Sequence, residues 1–169
     1  MLRIVFGRAS GRRAFFVLAS LLCAWQCRAA TVILVRHAER ADAMETDPPL
    51  NERGKQRAEA LARMLANAGV QTIYTSEVQR TRQTAAPLAK QLKVEPVVVP
   101  ARDLEGLAAR LNVLPENAVV LVIGHSNTLP KIVTALGGAA EPLTESEYDR
   151  MIIVRLCPGG PPSVLTLRY

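Results

Sequence analysis

The two histidines of the chain occupy matching places. His37 follows the apolar run 31–35 (TVILV) after one arginine, Arg36, and His125 follows the run 118–123 (AVVLVI) after Gly124. Both runs are short, rich in β-branched residues and without helical spacing, which marks strands buried on both faces. In an open α/β sheet the ligand crevice lies beyond the carboxyl ends of the parallel strands. Polar residues immediately after two different buried strands therefore point to a site rather than to chance placement. Two further strand ends join them: residues 72–74 run into Ser76 and then Arg80, and the apolar run 94–99 precedes Asp103 and Glu105. Two arginines and two histidines on one sheet edge attract an anion, and the guanidinium fork matches the oxygens of phosphate. Neither a G-x-x-x-x-G-K-[ST] loop nor a G-x-G-x-x-G turn after a strand is present. The histidines belong to no closely spaced His or Cys cluster, so no metal and no cofactor is expected. The nucleophile must then come from the protein, and a neutral imidazole can attack phosphorus.

The elements that must carry these residues alternate in kind. After the first strand, residues 38–49 lack apolar periodicity, contain Pro48 and Pro49, and read as a loop. Asn51 caps a helix over 52–68, where Ala58, Leu61, Leu65 and Ala68 recur at helical spacing before Gly69. A short strand at 72–74, a helix over 78–91, a strand at 94–99 interrupted by Pro96, and a helix capped by Asp103 and ending near 111 follow. Beyond the strand at 118–123, a helix over 129–136 accepts Pro130 in its first turn and stops at Gly137. Residues 151–156 and 164–167 flank a Pro/Gly turn and read as a hairpin. Strands alternating with helices imply parallel pairing through right-handed crossovers. The expected fold is a three-layer α/β/α sandwich with a mostly parallel sheet and a C-terminal antiparallel hairpin.

Composition separates a leader from this body. The chain has 169 residues, with 21 Lys and Arg against 15 Asp and Glu, a length suited to one domain. Arg3, Arg8, Arg12, Arg13 and Arg28 lie in residues 1–29, which hold no acid, so the remainder carries 16 bases and 15 acids. All three Phe and Trp25 also lie in that stretch. The near-neutral body, with Tyr74, Tyr148 and Tyr169 as its aromatics, argues against nucleic acid as a partner. Four arginines, an uncharged apolar run over 14–25 and small residues near Ala29 and Ala30 form the layout of an export signal. The run is shorter than the ~20 residues of a spanning helix, so no stable membrane insertion is expected once the leader is removed. A cut after Ala29 divides the chain into a signal peptide, 1–29, and a domain, 30–169. Arg12-Arg13-Ala14-Phe15-Phe16 resembles a twin-arginine signal, with the general export route equally open. Such a cut leaves Cys157 alone, a small apolar residue at a strand end without an intramolecular disulfide.

Arg36-His37-Ala38-Glu39, the segment 50–54 (LNERG), Arg80 within 76–84 and Gly124-His125-Ser126 together resemble the histidine phosphatase superfamily, also called phosphoglycerate mutase-like. The likeness runs from 31 to about 156. It implies His37 as the phosphorylated nucleophile, Arg36 and Arg80 as clamps on the phosphoryl group, and His125 as a further donor to its oxygens. Ala38 stands where Gly is commoner. The resemblance also implies a metal-free phosphomonoesterase. The acid-phosphatase branch, with Asp after the second His, is excluded by Ser126. The acid that protonates the leaving group stays open among Glu105, Asp103 and Glu39: Glu105 is favoured, Asp103 doubles as a helix cap, and Glu39 adjoins the nucleophile. Ser76 and Thr81, near a helix start, suit either phosphate contact or capping, as do Ser126 and Asn127 after the fourth strand. Arg53, Arg57 and Arg82 read as solvated helix faces. Residues 40–49 and 138–149 are expected to line the pocket mouth. The expected partner is a phosphorylated small molecule or an envelope sugar, reached by export to the periplasm in a Gram-negative source. A non-catalytic phosphate- or phosphosugar-binding protein and a phosphohistidine protein phosphatase are the alternatives. The sequence specifies no oligomeric state.

Overall fold

The computed structural model describes residues 29–41 and 46–169, so the segment expected to be an export signal, Ala29 apart, lies outside the described residues. Ten elements follow in order: β1 Ala30–Arg36, α1 Glu52–Leu65, β2 Thr72–Thr75, α2 Gln79–Leu92, β3 Val97–Val98, α3 Leu104–Asn112, β4 Val119–Gly124, α4 Leu129–Ala135, β5 Arg150–Leu156 and β6 Ser163–Arg168. The six strands form one sheet in the order β3-β2-β4-β1-β5-β6. The first four are parallel, whereas β5 runs antiparallel to β1 and β6 antiparallel to β5. The expected architecture, a mostly parallel sheet ending in an antiparallel hairpin, is the one observed.

Side-chain alternation explains why β1 and β4 read as unbroken apolar runs. Val32, Leu34, Val120 and Val122 point to one face and pack with Leu107 and Leu111 of α3 and Leu129, Ile132 and Val133 of α4. Ile33, Val35, Leu121 and Ile123 point to the other and pack with Leu61 and Leu65 of α1 and Ala85 and Leu88 of α2. Each face is thus closed by two helices, and Leu34 and Leu121 are fully buried. Truncating either to Ala would cost about 2–5 kcal/mol.

The helices start where the sequence suggests. The Asn51 side chain accepts from the Gly54 N–H at 2.8 Å, and Asp103 accepts from the Gly106 N–H at 3.0 Å. Gly54 is required by packing, since a Cβ there would collide with the backbone of Glu39. The third strand is shorter than expected: it pairs only at Val97 and Val98. Val94 instead closes the end of α2 through its N–H to the Ala89 carbonyl, and Pro96 and Pro100 bracket what remains.

Cys157, which follows β5, is disulfide-bonded. The expectation of a lone, chemically silent Cys157 applies to the chain after removal of the leader. That expectation assumed a cut after Ala29, which removes Cys23 and Cys27, the chain's two other cysteines, both outside the described residues. Among the described residues no helix is long and apolar enough to cross a membrane.

Candidate functional site

The topology makes the crevice. Strands β1 and β4 are neighbours in parallel register, with Arg36 opposite Gly124. The helix after β1 packs on one face of the sheet and the helix after β4 on the other. Adjacent strands whose chains leave in opposite directions open a cleft at their carboxyl ends. The ladder continues one step further, with the His37 N–H donating to the Gly124 carbonyl at 3.0 Å. His37 and His125 are thereby brought side by side, ring centroids 5.3 Å apart at 65°.

A cavity of about 300 Å³ opens there, lined by Arg36, His37, Arg40, Arg80, His125, Ser126, Asn127 and Glu145. A larger open groove of about 1010 Å³ along α2 and β3 contains Arg82, Lys90 and Lys93 but neither histidine. The chemistry belongs to the smaller cavity.

His37 is 4 % exposed. Its Nδ1–H donates to the Ala38 carbonyl at 2.8 Å, which leaves Nε2 with a free lone pair. Burial, reinforced by the charges of His125, Arg36 and Arg80 and opposed by the Ala38 hydrogen bond, lowers the His37 pKa to about 3. Burial and Arg80 lower that of His125 to about 4. Both rings are neutral at pH 7. Ala38 is fully buried beside Leu50 and Ala58, so the residue that replaces the commoner Gly fills a small apolar space. Its N–H donates to the Thr84 hydroxyl at 3.0 Å, and that hydroxyl donates to the Arg80 carbonyl at 2.7 Å. One side chain of α2 thus fixes both the turn that bears His37 and the first turn that bears Arg80.

Arg36, at the end of β1, is 2 % exposed. Its Nη1 faces the carbonyl oxygens of Thr144, Glu145 and Glu147 at 3.0, 2.9 and 3.1 Å. Its Nη2 meets the Glu145 carboxylate at 2.8 Å. The ring of Tyr148 lies 4.1 Å from the guanidinium carbon and 6.1 Å from the His37 ring. Arg36 Nε is buried with no partner among the described residues. Arg80 Nη1 stands 3.7 Å from Asp47, whose carboxylate also takes the Gln79 N–H at 3.0 Å.

Of the residues singled out by sequence, Arg36, His37, Arg80, His125 and Ser126 meet at this cavity. Ser76 and Glu105 do not. Ser76 is 4 % exposed and bonded to the Thr81 hydroxyl at 2.9 Å, because the start of α2 takes up its polarity. Glu105 is exposed in the first turn of α3, turned outward as Asp103 caps that helix through Gly106. Glu39 is also occupied: it takes a forked contact from Arg57 at 2.8 to 3.1 Å and a second cation, Arg53, at 3.2 Å. Those bonds outweigh partial burial and lower its pKa, which suits a structural anion and not a proton donor. Arg53 and Arg57 accordingly serve Glu39 and not solvent alone. Asn127, singled out with Ser126, also lines the cavity, whereas Arg40, Glu145 and Tyr148 were given no site role by sequence reasoning. The only signal was the placing of 40–49 and 138–149 at the mouth, where Arg40 and Glu145 indeed lie. Among the described residues no group of three or more His, Cys, Asp or Glu could hold a metal ion.

The arrangement can seat a tetrahedral dianion against a neutral ring nitrogen. Comparison with known proteins agrees with that chemistry. The family model described as histidine phosphatase superfamily (branch 1) matches residues 32–104. Over 71 residues the chain is 39% identical to phosphoserine phosphatase 1 of Hydrogenobacter thermophilus, a match covering 38% of this chain and 33% of that protein. Over 67 residues it is 40% identical to the 8-oxo-(d)GTP phosphatase of Mycolicibacterium smegmatis, covering 37% of this chain and 21% of that one. The match therefore spans a third or less of these relatives. Among solved structures, the protein histidine phosphatase SixA complexed with tungstate has the same fold at a TM-score of 0.67 and 22% identity, covering 82% of this chain and 96% of that chain. A phosphoserine phosphatase from Entamoeba histolytica, in complex with 3-phosphoglyceric acid, gives 0.62 and 16% over 83% and 97%. The matched segment carries Arg36, His37 and Arg80, the fold returns His125 to them, and over that segment the chain is similar to branch 1 of the histidine phosphatase superfamily.

Proposed function

We propose that the protein is a metal-independent phosphatase that hydrolyses a phosphomonoester through a phosphohistidine on His37. The observation that carries this reading is the His37 ring, with Nδ1–H held by the Ala38 carbonyl and Nε2 free beside Arg36, Arg80 and His125. Nε2 attacks phosphorus as the ester oxygen leaves with the electron pair of the broken P–O bond. Water then attacks phosphorus, inorganic phosphate departs, and the imidazole recovers its lone pair. Charge on the equatorial oxygens is met by donors that are already in place, which is where catalysis of phosphoryl transfer chiefly lies. Assayed on a small aryl phosphate, the protein should turn over with or without chelator, and His37→Ala should lose ~10³-fold or more in kcat. Equal rates for the two proteins would remove His37 from the mechanism.

One observation favours a particular kind of substrate. Glu105, Asp103 and Glu39 are all absent from the residues lining the cavity, and the carboxylate that does line it, Glu145, is held charged by Ser126 and Arg36, so leaving groups that depart without a strong proton donor fit best. A phosphohistidine on another protein is one such donor, as its imidazole leaves readily. Phosphorylated envelope sugars remain within the reading, because the leader of 1–29 directs the chain out of the cytoplasm, to the periplasm in a Gram-negative source. Fractionation of cells expressing the full chain checks this: recovery in the cytoplasm with the leader attached would reject it.

A further inference from the structure

Arg36 is held in three different ways at its three nitrogens. Nη1 is given over to the carbonyls of the 144–147 turn, which anchors that turn on the guanidinium. Nε and Nη2 form the side-on edge of the fork, the edge that takes two oxygens of one tetrahedral anion. On that edge Nε has no partner among the described residues, although Arg36 is buried. A buried donor left unpaired costs stability, and a site that keeps one has a use for it. The Nη2 half is covered by the Glu145 carboxylate, whose other oxygen takes the Ser126 hydroxyl at 2.5 Å. The carboxylate thus sits on two of the donors that line the phosphate cavity.

The Glu145 side chain is itself 79 % exposed, so detaching it costs far less than moving a buried group. The Ser126 and Arg36 contacts lower its pKa, so it is charged at neutral pH. A phosphoryl dianion and this carboxylate cannot share Nη2 and the Ser126 hydroxyl, because like charges that close repel strongly. One must leave.

Resting on the reading of this cavity as a phosphate site, we propose that Glu145 is an internal competitor for the phosphate cradle: it covers Arg36 and Ser126 until an entering phosphoryl group displaces it. Free phosphate then binds weakly and departs readily, and a substrate is held only when its remaining part makes contacts of its own, for which Arg40 and Asn127 stand at the rim. Glu145 determines which phosphoryl compounds are retained, without itself taking part in bond making.

The test compares the full chain with Glu145→Gln, Glu145→Ala and Glu77→Gln. Glu77 is the control for charge alone: its carboxylate takes the Ala101 N–H at 2.8 Å and acts on the charge of His125 from a distance, yet covers neither Arg36 nor Ser126. Binding of inorganic phosphate is read by titration calorimetry, and KM on an aryl phosphate by steady-state kinetics. Both Glu145 variants should bind phosphate ~10-fold more tightly and lower KM, whereas Glu77→Gln should change either by less than ~3-fold. Equal or weaker phosphate binding in the Glu145 variants overturns the proposal, as does an equally large gain in Glu77→Gln, or a loss of kcat confined to esters with poor leaving groups. Absence of phosphate binding in all four proteins overturns it too. Turnover is a separate readout: a tightened phosphate complex in a protein that hydrolyses nothing would keep the competitor and reject the enzyme.

Discussion

The two sides of the cavity are built by different means. On one side, His37 and His125 take their places from the β1–β4 ladder, where backbone hydrogen bonds and two apolar layers set the spacing. On the other, the segment 138–149 has no strand or helix of its own. It is held by polar contacts: Arg36 to three carbonyls, Arg150 to the carbonyls of Glu141 and Pro142 at 2.9 and 3.1 Å, and Glu147 to the Thr144 N–H at 2.9 Å. The reacting ring is therefore placed by the sheet, while the groups that meet the incoming substrate are placed by one guanidinium and its neighbours. Arg36 belongs to both sides, and that makes it the most informative residue to change.

Replacing Arg36 by Lys should have the largest effect, because it removes the fork and the turn's anchor together. We expect kcat/KM on an aryl phosphate to fall ~10²- to 10³-fold. Hydrogen exchange should quicken over 144–147 while β1 and β4 keep their protection; quickened exchange in the strands as well would mean that the two sides are not separable. Next in size, Gly54→Ala drives a Cβ into the Glu39 backbone. It should lower stability by about 2–3 kcal/mol, read as a shifted urea midpoint. An unchanged midpoint would show that α1 can move off the turn after His37 at little cost.

A third prediction concerns pH. With a folded pKa of about 3 against the ordinary 6.5, His37 binds its proton more readily in the unfolded chain between those values. Its contribution to stability is complete above about pH 6.5 and is lost as pH falls toward 3. By pH 5 the loss from His37 alone is about 2 kcal/mol. Urea midpoints for the protein and for His37→Asn at pH 7 and pH 5 measure this: the variant should lose less stability on acidification, and an identical loss would mean that the ring is not held neutral by the sheet edge. Last, Tyr148→Ala removes the ring over Arg36 and should raise KM ~3- to 10-fold, with Tyr148→Phe restoring most of that loss. If Phe fails to restore it, the hydroxyl and not the ring face is what matters.

Much of the first side was legible in sequence. The runs TVILV and AVVLVI are apolar at every position because helices cover both faces of the sheet, and a buried parallel strand announces its own end by the first polar residues after it. Arg36, His37 and His125 were found in that way, and Arg80 by its position after β2. Asn51 and Asp103 were legible as caps because a short polar side chain before a helix has few other uses. The second side was not legible. Glu145 and Tyr148 come to Arg36 only because β5 returns antiparallel beside β1, a long-range event with no local periodicity to signal it. Glu105 shows the converse: a carboxylate in a first helical turn points toward or away from a crevice according to how that helix is set, and sequence spacing does not give the setting.

The Thr84 hydroxyl links the Ala38 N–H to the Arg80 carbonyl. A tilt of α2 that displaces the second arginine must therefore drag the histidine turn along with it. Misalignments of ring and cation are correlated, and the relative geometry of attacker and clamp survives small motions of the helix. When that link is severed, the two can drift apart while each remains in place on its own element, and a protein with every reactive group present would then be a poor catalyst.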